Sequence, residues 1–104
     1  MLFDNGDLDA TLASAAGDDP ALLAELRQAF GDSIARQLDL LTRSRCDGNW
    51  AMAALRLKGV AASFHAAQLM ELAEEAAAGA PGDPVVLRKI ATFLSDYRSG
   101  ALDG

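Results

Sequence analysis

The chain has 104 residues, 51% of them hydrophobic, which suits one domain whose core needs neither metal nor disulfide to hold it. Its net charge of -6 argues against nucleic-acid phosphate or an anionic membrane surface as a partner. Cys46 is the only cysteine, so no internal disulfide can form, and no Cys or His cluster has metal-ligand spacing.

The start, Met1-Leu2-Phe3-Asp4, lacks a basic segment followed by an apolar run, and no apolar stretch is long enough to cross a bilayer. A soluble, cytoplasmic protein is expected. After the Asn5-Gly6 turn signal, Leu8, Leu12 and Ala15 recur at helical spacing and Gly17 is placed to end a short first helix. Asp18-Asp19-Pro20 then sets an acidic cap before a proline at the first helical position. Leu23, Leu26, Phe30, Ile34, Leu38 and Leu41 follow at intervals of three and four, predicting a long amphipathic helix that ends near Arg43 to Arg45. Those two arginines would complement the negative end of its dipole.

Cys46-Asp47-Gly48-Asn49 reads as a turn, with Asn49 or Asp47 capping a helix that begins at Trp50 and anchors there in the core. At 100° per residue, Trp50, Ala53, Leu57, Val60, Ala61 and Phe64 share one side of this third helix. Ala51, Met52, Leu55, Gly59 and Ala62 share the other, with Lys58 at its edge. Two opposite faces nearly free of charge are unusual in a small helical domain, where the outer face is normally charged. A break at His65 leads to a fourth helix marked by Leu69, Leu72, Ala73 and Ala76, with Gly79 beyond its end. Gly79-Ala80-Pro81-Gly82 is a loop, and Asp83-Pro84 repeats the cap-plus-proline device. Leu87, Ile90, Leu94 and Tyr97 give the last helix its seam, closed by Ser99-Gly100. The expected fold is all-α: an antiparallel four-helix bundle with a short N-terminal helix packed across one end or side, and frayed ends at Met1 to Gly6 and Ala101 to Gly104.

With Leu55-Arg56-Leu57-Lys58-Gly59, then Val60-Ala61-Ala62-Ser63 and Phe64-His65, the chain resembles the histidine-containing phosphotransfer (HPt) domains of bacterial phosphorelays. Their pattern is His-x-Leu-Lys-Gly, several small residues, then a Leu-Gly turn. The resemblance covers about Leu8 to Tyr97 and includes the approach Asp47-Gly48-Asn49-Trp50. It implies a surface that docks the receiver domain of a response regulator. Two positions depart from the pattern: the phosphoacceptor column holds Leu55, and His65, the only histidine, stands where the family has a turn glycine. Leucine has no nucleophile, so relay through Leu55 is chemically excluded.

His65 lies ten residues on, about 80° around and roughly 15 Å along an ideal helix. It is read as a structural stand-in for glycine, with phosphotransfer through it as the lesser alternative. The resemblance places Lys58 one turn from the missing histidine and makes Gly59 and Ala62 a notch for close approach. The chain is thus read as a pseudo-HPt protein, not an enzyme, without cofactor. Its partner-binding residues would be Met52, Leu55, Arg56, Lys58, Gly59 and Ala62. The alternative is a homodimer formed through the same stripe. Glu71, Glu74 and Glu75 on the fourth helix read as a solvated face, and Ser63 as an unactivated hydroxyl.

Overall fold

The computed structural model describes residues 6–100, and those residues form five α-helices with no strand among them. They are α1 (Gly6–Ala16), α2 (Pro20–Arg43), α3 (Asp47–Ser63), α4 (Ala67–Ala78) and α5 (Pro84–Ser99). The turn signal at Asn5 and the frayed ends expected at residues 1–5 and 101–104 lie outside the described residues. Gly6, expected in the frayed head, opens α1.

Both cap-plus-proline devices act as their sequence implies. Asp19 Oδ1 accepts from the amides of Ala21 at 3.0 Å and Leu22 at 3.2 Å, and Asp83 Oδ1 accepts from Val85 N at 3.0 Å. Each satisfies amides that a helix start leaves without intrahelical partners. The start of α3 differs from expectation. Asp47, Gly48 and Asn49 are its first turn, Cys46 occupies the cap position without a side-chain bond, and Trp50 N already donates to Cys46 O at 3.1 Å. Asp47 therefore acts through its charge at the positive end of the dipole. At the end of α2 only Arg43 lies in the last turn, paired with Asp39 at 3.2 Å, and Arg45 lies beyond the helix.

Helix α1 buries Leu8, Leu12 and Ala16 and packs on α2 alone, while Ala15 is exposed. The other four close a cycle of contacts: α2 on α3, α3 on α4, α4 on α5 and α5 back on α2. Their ends meet head to tail. Trp50 at the start of α3 donates its indole N–H to Ala76 O near the end of α4 at 2.6 Å. Tyr97 near the end of α5 donates its hydroxyl to Arg27 O near the start of α2 at 2.8 Å. Phe30 in α2 meets Phe64, just past α3, in a tilted pair and Tyr97 edge to face, with ring centroids 4.8 and 5.3 Å apart.

The core is mostly as the helical spacing implied: Phe30, Ile34, Leu41, Trp50, Ala53, Leu57, Ala61, Leu69, Ala73, Ala76 and Ile90 are all buried. On α5 the seam is wider than expected. Val86 and Phe93 are buried with Ile90 and Leu94, while Leu87 and Tyr97 are only half-buried. A helix packed against two neighbours needs an apolar arc broader than one line of i, i+3, i+4 positions. Gly31 sits where α2 approaches α5: a Cβ added there would stand 3.4 Å from the Tyr97 ring.

Burial raises the Tyr97 pKa above 10.0, with the Arg27 charge opposing and Asp9 reinforcing the shift. The folded state therefore holds the phenolic proton more tightly than the unfolded chain. This contribution to stability is complete below about pH 10 and is lost as pH rises through the raised folded value. Tyr97 is the sole tyrosine. Tyr97→Phe is thus expected to cost about 0.5–1.5 kcal/mol at neutral pH through the lost hydrogen bond and to flatten the alkaline fall in the urea midpoint. An unchanged alkaline slope in the variant would count against this assignment.

Candidate functional site

The outer face of α3 is open. Leu55 is 68% exposed and Met52 54%, the two most exposed large hydrophobic side chains among the described residues. Ala51, Gly59 and Ala62 are exposed beside them, while Leu57 on the opposite side is fully buried. The open side read from the sequence is the open side observed; the buried side also takes in Ala54, while Val60 and Phe64 are half-buried. Helix α1, which could have covered this stripe through Leu8 and Leu12, packs along α2 and turns both leucines into the core.

Gly59 has no intramolecular reason to be glycine. A Cβ built on it would meet nothing within 4 Å, yet glycine inside a helix costs about 0.5–1 kcal/mol relative to alanine. Beside the stripe, Leu40, Arg43, Ser44, Asn49, Met52 and Arg56 line a groove of about 380 Å³ between the end of α2 and the first half of α3. Ser44 closes its floor with a hydroxyl donated to Leu40 O at 2.7 Å. This groove has no counterpart in the sequence reading, because its walls come from two helices whose approach no local pattern reports.

The charged residues near the stripe differ in their engagement. Lys58 Nζ pairs with Glu74 Oε2 at 3.2 Å and Arg43 with Asp39, whereas Arg56 makes no ion pair among the described residues. Of the other acids on α4, Glu75 pairs with Lys89 at 3.1 Å and Glu71 is exposed. No grouping of three metal-capable side chains occurs among the described residues. Ser63 donates its hydroxyl to Gly59 O at 2.9 Å.

His65 has φ of +56°, and it alone among the described non-glycine residues lies in the left-handed region. Its amide donates to Ala62 O at 3.2 Å, and Ala66 N donates to Ala61 O at 2.8 Å. That pair of bonds is a Schellman cap, and both Ala66 and Ala61 are buried. His65 thus occupies the position that usually takes glycine, as the sequence reading assigned it. Its exposed side chain borders a shallow depression formed by Asp7, Ala10, Thr11, Ser14 and Ala15 of α1 and does not line the groove beside Met52. A side chain in this conformation costs about 1–2 kcal/mol, partly offset by the stiffer unfolded chain. His65→Gly is expected to raise stability by about 0.5–1 kcal/mol in urea unfolding. A loss of stability instead would show that the imidazole itself holds the junction.

Compared with protein-family models, with curated proteins and with solved structures, the chain matches none. No helix among the described residues is long and apolar enough to cross a membrane.

Proposed function

We propose that the chain is a pseudo-HPt protein, an antiparallel four-helix bundle with an added N-terminal helix, that binds the receiver domain of a response regulator without carrying phosphate. One observation carries the reading. Leu55, in the column where the resembled family has its histidine, points outward on a smooth apolar stripe instead of packing inside. Exposed apolar patches of this kind mark interaction sites, and a partner that covered Leu55 would gain roughly 1.5–3 kcal/mol from its burial. The exposed Gly59 and Ala62 leave room for a second backbone to approach. The mechanism is occupancy: the receiver face is held by a surface of the right shape that offers no nucleophile.

The test is a titration of the receiver domains from the same genome against the wild type and Leu55→Asp. Submicromolar binding to at least one receiver is expected, with a loss of about a hundredfold in the variant. Equal affinity for both proteins would remove the stripe from the mechanism. Sedimentation of the free protein tests the homodimer alternative, which a monomer at high concentration would rule out. Incubation with a phosphorylated receiver tests transfer to His65, for which no acid-labile label is expected.

A further inference from the structure

Within the reading of α3 as a receiver-docking helix, the ion pairs around the stripe distinguish two cations that the sequence pattern treats alike. Lys58 matches the family's lysine in position, but Glu74 stands 3.2 Å from its ammonium. A partner carboxylate brought to Lys58 meets Glu74 as well, so attraction and repulsion largely cancel there. Arg43 is neutralised in the same way by Asp39 at 3.2 Å. Arg56, beside Leu55 in sequence and lining the groove with Met52, carries a charge with no ion partner among the described residues.

The net charge of -6 does not override this local pattern. The Debye length is about 8 Å at physiological ionic strength, so a carboxylate at the α3 surface responds to its near neighbours. From Gly48 to Ser63 the helix contains no acidic residue. A second copy of the chain docked stripe to stripe would therefore bring no carboxylate from that stretch of α3 to Arg56, and the acids bordering the face, Glu74 and Asp39, are already paired with Lys58 and Arg43.

We propose that the face is built for a partner presenting a carboxylate next to an apolar contact, and that Arg56, not Lys58, receives it, seating the partner across Leu55 and Met52 toward the α2–α3 groove. An arginine suits that role because its planar fork binds a carboxylate through two parallel hydrogen bonds. The partner thus lies toward the end of α2, away from the side of α3 where Lys58 meets α4.

The test uses the whole chain and the purified receiver domains of the same genome, with Leu55→Asp, Arg56→Gln and Lys58→Gln compared at low and high salt. All three positions are on the surface, and circular dichroism checks that each variant is folded. Arg56→Gln is expected to weaken binding about tenfold and to flatten its salt dependence, and Lys58→Gln to change affinity less than about twofold. If Leu55→Asp abolishes binding while Lys58→Gln costs as much as Arg56→Gln or more, or Arg56→Gln costs nothing, the assignment to Arg56 is overturned and receiver docking stands. If no receiver binds, or Leu55→Asp binds like the wild type, both fall together.

Discussion

Leu57→Ala is expected to destabilise the protein by about 2–5 kcal/mol, while the same change at Leu55, two residues away on the same helix, stays within about 0.5 kcal/mol. Leu57 is fully buried and Leu55 is 68% exposed, so one truncation opens a cavity in the core and the other trims a side chain already in water. Urea unfolding of the two variants measures the contrast directly. It is also a strict test of the orientation of α3, on which the docking proposal rests. A rotation of the helix by 100°, one residue, would move both leucines off their faces and bring the two effects together. Comparable losses would mean that Leu55 is covered in the free protein and that no open stripe exists.

The second large effect is at Trp50. Its side chain is buried and its indole N–H spans from the first turn of α3 to Ala76 O near the end of α4. Trp50→Ala removes the largest buried side chain of the domain, and about 3–5 kcal/mol of destabilisation is expected. Net stabilities of small domains are themselves about 5–15 kcal/mol, so the variant should be visibly less cooperative or partly unfolded at room temperature. Trp50→Phe keeps most of the apolar volume and loses the hydrogen bond. Ala76 O still accepts from Gly79 N at 3.0 Å, so the carbonyl is not stranded. A smaller loss, about 1–2 kcal/mol, is expected for it. Thermal melts of the two variants rank these terms, and a phenylalanine variant as unstable as the alanine one would give the hydrogen bond the greater share.

His65 ends α3 in a conformation that ordinarily takes glycine. Its left-handed backbone sits within a Schellman cap. Two amide-to-carbonyl bonds and the burial of Ala66 outweigh the strain of that one residue.

Much of the molecule is local in origin and so was legible along the chain. Asp19-Pro20 and Asp83-Pro84 start helices through bonds made within three residues. The 3.6-residue period divides α3 into a buried Leu57 side and an open Leu55 side, because a helix turns its side chains outward at fixed angles whatever surrounds it. The departures follow the same logic. The start of α3 moved to Asp47 because capping competes with continued helical bonding over a few tenths of a kcal/mol. The wider seam of α5, with Val86 and Phe93, exists because that helix touches both α2 and α4.

What the order of residues determined by itself is the set of helices, the two proline-led helix starts and the bareness of the outer face of α3, all consequences of backbone hydrogen bonding and side-chain periodicity. What only the tertiary structure decided is whether that face stays bare and which charge beside it is free. Helix α1 could have lain over Leu55 but packs on α2, and Lys58 meets Glu74, sixteen residues distant, because α3 and α4 run side by side. Such contacts depend on how helices meet in space, and no local pattern encodes that meeting.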